Sequence, residues 1–122
     1  PKFLREGLEV MQQSAAHSAI ACTEFPFPIL RAVRLNAQGC LEMIWPEHLH
    51  TRSNDLEVAY HDAGQFYWLD VDRLLETQNI WDTTTRPIMI PRELVVDIDT
   101  PSDWALAEAM FHAHKRCTLI SG

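Results

Sequence analysis

The chain has 122 residues, 47% of them hydrophobic, and a net charge of −7, which fits one small domain or part of a larger one. Its Lys and Arg residues are scattered, and this excludes the basic surface that nucleic-acid binding requires. No apolar run is long enough to cross a membrane, and the three cysteines share no metal or disulfide spacing. We therefore expect a cytoplasmic protein with reduced thiols and no membrane or nucleic-acid partner.

The first part of the chain predicts a helix, a buried strand and a hairpin. Apolar residues recur at helical spacing over residues 3–16, although a glycine at position 7 weakens that helix. Residues 18–23 form a short run of small and apolar side chains, typical of a buried strand. Residues 29–35 and 40–45 read as two strands joined by the turn sequence Asn-Ala-Gln-Gly, which predicts a hairpin.

The second part alternates short strands with helices after a polar, histidine-rich loop over residues 46–62. Strands are predicted at 65–69, 88–90 and 94–96, and helices at 71–77 and 101–115. Asp70 is the expected N-cap of the first of these helices. Strands that alternate with helices indicate an α/β fold with a partly parallel sheet.

The most informative segment of the sequence joins the last predicted strand to the last helix. Asp97 and Asp99 are two residues apart, so a strand would point both carboxylates to one face. Thr100 suits a helix N-cap, Pro101 the first helical position and Asp103 the acidic member of a capping box. Two carboxylates at the end of a strand can hold Mg²⁺ together with substrate phosphates. The alternative is structural: Asp97 is an edge residue and Asp99 charges the start of the helix.

Three stretches of the chain, including this one, resemble a known enzyme family. Residues 97–104 resemble the C-terminal metal motif of the acylneuraminate cytidylyltransferases, which activate nonulosonic acids as CMP-sugars. Two further stretches resemble the branch that acts on pseudaminic acid: residues 23–29, and a longer stretch that runs from 45–48 through 51–57 to 59–68. The resemblance implies an α/β, Rossmann-like nucleotidyltransferase sheet with a protruding β-hairpin arm, residues 29–45, that serves dimerisation. It also implies transfer of CMP from CTP to a nonulosonic acid, with Mg²⁺ as cofactor, in a homodimer or higher homo-oligomer.

The resemblance assigns roles to individual residues. It implies that Asp97 and Asp99 are the catalytic metal ligands. The remaining matched positions would bind the substrate, namely Arg52, Asn54, Gly64, Tyr67 and Trp81. Asn54 departs from the glutamine expected there, and Trp81 is equally compatible with plain core packing.

The start of the sequence lacks a feature of that family. No glycine-rich, basic nucleotide-binding loop follows the first strand, because the four glycines are isolated at positions 7, 39, 64 and 122. We therefore expect residues 1–122 to be the C-terminal portion of the enzyme and to be inactive alone. Two alternatives stay open: a non-catalytic dimerisation or binding module, or the same chemistry on legionaminic or N-acetylneuraminic acid.

Overall fold

The computed structural model describes residues 2–120, with side chains as far as Arg116. Residues 24–61 form one compact unit, and residues 1–23 together with 62–122 form another. We call them the hairpin unit and the sheet unit. In chain order the helices and strands are α1 Lys2–Gln13, β1 Ser18–Glu24, β2 Val33–Leu35, β3 Leu41–Met43, β4 Tyr60–Leu69, α2 Val71–Thr77, β5 Arg86–Met89 and α3 Pro101–Ile120.

The sheet unit is built on a three-stranded sheet in the order β4-β1-β5. β1 and β5 are parallel, with Ala19 opposite Arg86 and Cys22 opposite Met89. The first six residues of β1 are buried, as its small and apolar sequence predicted. The helix α2 connects β4 to β5. The α/β class is therefore confirmed, and a Rossmann-like sheet is compatible with this arrangement.

α1 packs on one face of this sheet, and its contact with Trp68 of β4 is made at Gly7. Gly7 is the buried residue of the helix, and a β-carbon there would lie only 2.4 Å from Cδ1 of Trp68. The Trp68 indole N–H donates to the carbonyl of Leu4 at 3.0 Å. Leu4 and Leu8, which the sequence predicted on the buried stripe, remain more than one third exposed. The glycine that weakened the helix prediction is thus the point of closest packing.

The hairpin unit contains the predicted hairpin in a shorter form. Its turn is held by Asn36, whose Oδ1 accepts the amide N–H groups of Gln38 and Cys40 at 3.0 and 2.9 Å. Gly39 supplies the left-handed residue of the turn at φ 76°. The prediction of a strand over 29–35 is wrong at its start. Residues Ile29–Arg31 form a 3₁₀ turn after Pro28, closed by the N–H of Ala32 bonding back to the carbonyl of Ile29.

Three further boundaries correct the sequence predictions. β4 begins at Tyr60, five residues before the predicted start, and α3 continues to Ile120. Residues 94–96 are not a strand: Arg92–Leu94 is a 3₁₀ turn, and the chain after it joins no sheet. Asp70 does cap α2, because its carboxylate accepts the amide N–H of Arg73 at 3.1 Å.

Candidate active site

The chain leaves the carboxyl end of β5, beside its parallel partner β1, towards the predicted metal motif. Ile90 donates its amide N–H to the carbonyl of Cys22 at 2.8 Å, which prolongs the pairing by one residue. Leu94 and Val95 then pack against a buried cluster of Ala21, Ala63 and Ile90. This packing brings the chain out at the edge where ligands bind in open α/β sheets.

A side chain of β4 also anchors this exit segment. Gln65 donates from Nε2 to the carbonyl of Leu94 at 2.8 Å. The bond fixes the backbone three residues before Asp97. The aspartate segment is thus held to β4 by a side chain instead of by the strand pairing that the sequence predicted.

Asp97 and Asp99 are both exposed and lie outside any strand, so strand alternation does not align their carboxylates. The capping box that the sequence predicted comes directly after them. The Asp103 carboxylate accepts the N–H and the hydroxyl of Thr100 at 2.8 and 2.7 Å, and the N–H of Asp99 at 3.2 Å. In return, the amide N–H of Asp103 bonds to the Thr100 hydroxyl at 3.3 Å. These bonds fix the backbone beside Asp99 and leave the Asp97 and Asp99 carboxylates at the surface.

The hydrogen bonds of the cap also set the charge of Asp103. The hydroxyl and amide of Thr100, followed by the amide of Asp99, hold the pKa of the Asp103 carboxyl below its usual value. Asp103 is therefore a capping anion. This leaves Asp97 and Asp99 as the two carboxylates of the motif that could bind a ligand.

The donor chemistry of the motif fits magnesium in one specific way. Within residues 2–116, whose side chains the structure describes, no group of three or more His, Cys, Asp or Glu side chains is arranged to hold a metal ion. Mg²⁺ commonly uses one or two protein carboxylates and completes its shell with water and substrate phosphates. Asp97 and Asp99 supply the oxygen ligands of such a site, whereas a zinc site would need at least three protein ligands.

Gly64 and Tyr67 both donate hydrogen bonds to the carboxylate of Asp62, on the same strand β4. Gly64 has φ 65°, and the exposure pattern changes there: residues 61 and 63 face inward before it, and residues 66 and 68 after it. Such a shift is typical of a β-bulge with a left-handed glycine. Asp62 and Tyr67 therefore point to the same side, and the Tyr67 hydroxyl donates to Asp62 Oδ2. Asp62 Oδ1 accepts the N–H of Gly64 at 2.7 Å.

The backbone conformation explains why a glycine stands at position 64. Its φ of 65° is left-handed, which favours glycine, and a β-carbon there would meet no atom within 4 Å among the described residues. The substrate-binding role of Gly64 stays a prediction. The sequence reasoning missed Asp62 altogether, because simple strand alternation would place positions 62 and 67 on opposite faces.

Two side chains at the end of β1 add buried polar groups to this region. Burial, with a smaller contribution from the Asp62 charge, raises the pKa of the Cys22 thiol. Thr23 is 1% exposed, and its hydroxyl oxygen has no hydrogen-bond partner among the described residues. Thr23 opens one of the stretches that resemble the enzyme family, but its burial could not be read from that motif.

The other three predicted substrate residues lie elsewhere. Arg52 and Asn54 belong to the hairpin unit, where Arg52 approaches Asp55 at 3.9 Å and its side chain is 80% exposed. Trp81 is half exposed and lies in a loop whose neighbour Ile80 accepts a hydrogen bond from Ser18, the first residue of β1. The loop thus sits at the amino end of β1, away from the opposite end of the parallel strands, where the chain leaves β5 towards Asp97. The binding roles of all three remain predictions.

The hairpin unit carries a concave surface of its own. An open cavity of about 580 Å³ is bordered by the segment 25–32 and Ser53. Arg31 projects beside it and donates to the carbonyl of Thr51 at 2.7 Å. This groove is mostly apolar, and the sequence signal for it is the Phe-Pro-Phe-Pro run at 25–28.

Comparison with known proteins identifies relatives of the chain. Two curated proteins, each named pseudaminic acid cytidylyltransferase, come from Campylobacter jejuni subsp. jejuni of serotypes O:23/36 and O:2. Each is 37% identical to this chain over 109 residues, which is 89% of the chain and 47% of the relative. The chain therefore spans about half the length of the curated relatives it matches. No protein-family model matches the chain.

These matches bear directly on the family predicted from the motifs. The sheet and helices define an α/β protein whose sheet is compatible with a nucleotidyltransferase. The 37% identity over 109 residues supports the acylneuraminate cytidylyltransferase family that the motifs predicted. Within that family its similarity is to pseudaminic acid cytidylyltransferase. Among the described residues, no helix is both long and apolar enough to cross a membrane.

Proposed function

We propose that this chain supplies the metal-binding and sugar-binding part of an enzyme that transfers CMP from CTP to a nonulosonic acid, with pseudaminic acid as the first candidate. The observation that carries the proposal is the 37% identity to two pseudaminic acid cytidylyltransferases over 109 residues. The Asp-x-Asp motif after β5 supports it, because its two exposed carboxylates suit a cation shared with substrate phosphates.

The chemistry assigns distinct tasks to the residues of the sheet unit. A sugar oxygen attacks the α-phosphate of CTP, and pyrophosphate leaves. Asp97 and Asp99 would hold Mg²⁺, which would neutralise the charge that develops on the phosphate oxygens. The Thr100–Asp103 capping box holds the backbone beside Asp99, so this carboxylate is presented from a fixed helix start.

The remaining matched residues have separate roles on the substrate side of this proposal. Tyr67, with Gly64 shaping its strand, would contact the sugar, and Trp81 would contribute an apolar wall. Arg52 would pair with the sugar carboxylate, since a guanidinium fork matches a carboxylate in geometry and charge. Its present ion pair with Asp55 is long and solvent-exposed, so exchanging it for a substrate carboxylate would cost little.

The hairpin supports an association role in the same proposal. Val33, Leu35 and Leu41 are 49%, 69% and 70% exposed, respectively. Apolar side chains in this number on a two-stranded arm are typical of an interface, and a two-fold homodimer is the commonest form. We therefore propose that residues 29–45 contact a second copy of the protein.

An assay of pyrophosphate release and CMP-sugar formation tests the proposal. The whole protein that contains this chain should use CTP and pseudaminic acid with Mg²⁺, and legionaminic and N-acetylneuraminic acid should react more slowly. Residues 1–122 alone should form no product. Failure of the whole protein with all three sugars would contradict the enzyme proposal and favour a binding module. Faster reaction of another sugar would correct the substrate alone.

A further inference from the structure

The outward face of β4 carries a tyrosine whose hydroxyl proton is already engaged. The Tyr67 hydroxyl donates to Asp62 Oδ2, and the other carboxylate oxygen accepts the N–H of Gly64 at 2.7 Å. Asp62 is therefore held from two sides by its own strand. The left-handed glycine makes this possible, since it brings positions 62 and 67 to the same side.

This arrangement fixes what the pair can offer to a ligand. A tyrosine hydroxyl has one proton to donate and lone pairs with which to accept. In Tyr67 the proton is directed at Asp62, so lone pairs remain for a ligand, and an ionised carboxylate only accepts. A ligand group that bonds to this pair must therefore be a donor, such as an amide N–H or a hydroxyl. A ligand carboxylate would be repelled by Asp62.

We propose that Asp62 is a positioning residue that holds Tyr67 as a hydrogen-bond acceptor, and that the pair selects sugars with an acylamino N–H or hydroxyl at this point. The inference rests on the proposed function and deepens it. It assigns the sugar carboxylate to another part of the site, and it makes Asp62 a determinant of specificity.

The surroundings of the pair are consistent with this role. Tyr67 is 42% exposed, so a ligand can reach this side chain from solvent. The hydrogen bond to Asp62 raises the pKa of the Tyr67 phenol, with smaller contributions from desolvation and from the charge of Asp62. The phenol therefore stays neutral at physiological pH and directs its proton at Asp62.

Asp62→Asn tests the arrangement with little change in shape. If the Asn carbonyl oxygen still accepts the N–H of Gly64, the Asn side-chain N–H₂ faces the Tyr67 oxygen and donates to it. The phenol then no longer donates its proton to residue 62. The pKa of Tyr67 can be measured in the 122-residue chain from phenolate absorbance, in a Tyr60→Phe background that leaves one tyrosine. We expect this pKa to fall in Asp62→Asn. An unchanged value means that the hydrogen bond is absent in solution and overturns the inference.

Kinetics of the whole protein test the consequence for the substrate. In Asp62→Asn we expect the KM for the sugar to rise about tenfold, as for loss of one hydrogen bond, with the KM for CTP and kcat nearly unchanged. A sugar analogue with an ester oxygen in place of the acylamino N–H tests the same contact. Its KM should be about tenfold higher than that of the unmodified sugar for the native protein. For Tyr67→Phe the two KM values should be equal. Tyr60→Phe is the control and should behave as the native protein.

The outcomes separate this inference from the proposed function. If the native protein makes CMP-sugar but Asp62→Asn keeps the native KM for the sugar, the inference is wrong and the proposed function stands. If the native protein makes no CMP-sugar from any nonulosonic acid, the proposed function fails and the selective role of Asp62 fails with it. The phenol titration needs no substrate, so it tests the Asp62–Tyr67 hydrogen bond whether or not the proposed function holds.

Discussion

A methyl group at position 7 of α1 should destabilise the fold, although the same change on an exposed helix surface would stabilise it. In Gly7→Ala the new β-carbon would lie 2.4 Å and 2.8 Å from Cδ1 and Nε1 of Trp68, and 3.3 Å from Cε2 of Phe66. The first two distances are shorter than real contacts allow. The indole is a rigid ring, so it must move as a whole, and its hydrogen bond to the Leu4 carbonyl moves with it.

The magnitude follows from three opposing effects. Overpacking by one methyl typically costs about 1–3 kcal/mol, and a strained or lost indole hydrogen bond costs about 1 kcal/mol more. The better helix propensity of alanine returns about 1 kcal/mol. We therefore expect the free energy of unfolding to fall by about 2 kcal/mol, which lowers the urea midpoint by about 1 M for a typical slope.

Urea unfolding followed by circular dichroism measures this change, and a double-mutant cycle shows its origin. In a Trp68→Phe background the smaller ring leaves room, so Gly7→Ala should cost much less or become stabilising. Gln12→Ala on the exposed side of α1 is the control and should change the midpoint little. A higher midpoint for Gly7→Ala in the native background would refute the close approach of α1 to β4.

Three further predictions concern the metal motif, a loop and the hairpin. Asp99→Asn should lower CMP-sugar formation by the whole protein by orders of magnitude without changing its circular dichroism; near-native turnover would exclude Asp99 as a metal ligand. The hydrogen bond from the Thr84 hydroxyl is the main cause that lowers the pKa of the Asp82 carboxyl. The ionised Asp82 therefore stabilises the fold above the pKa of the unfolded state, and this stabilisation disappears as the pH falls through the lower pKa of the folded state. The urea midpoints of the native chain and Asp82→Asn should therefore differ at neutral pH and converge in acid, and a constant difference would contradict this. Leu35→Lys combined with Leu41→Lys should reduce the mass measured by light scattering towards that of a monomer, and an unchanged mass would exclude the hairpin as an interface.

Sequence alone predicted the parts of this protein whose partners are close along the chain. Asp70 caps α2 through a residue three positions away, and the Thr100–Asp103 box spans the same distance. Asn36 organises its turn within four residues. The buried character of β1 also follows from its own composition. The Asp-x-Asp motif could be recognised as a candidate metal site for the same reason, since its signal is contained in eight consecutive residues.

Tertiary structure decided the features whose partners are distant in sequence. Residues 94–96 have the composition of a strand, yet the chain leaves the sheet there, held by a hydrogen bond from Gln65, 29 residues away, and by packing of Val95 on the core. Gly7 is explained only by the ring of Trp68. Asp62 became visible as a candidate because the left-handed Gly64 shifts the alternation of β4 by one residue. A shift of one position exchanges the two faces of a strand, and hydrophobic pattern alone does not determine on which side of such a shift each polar side chain falls.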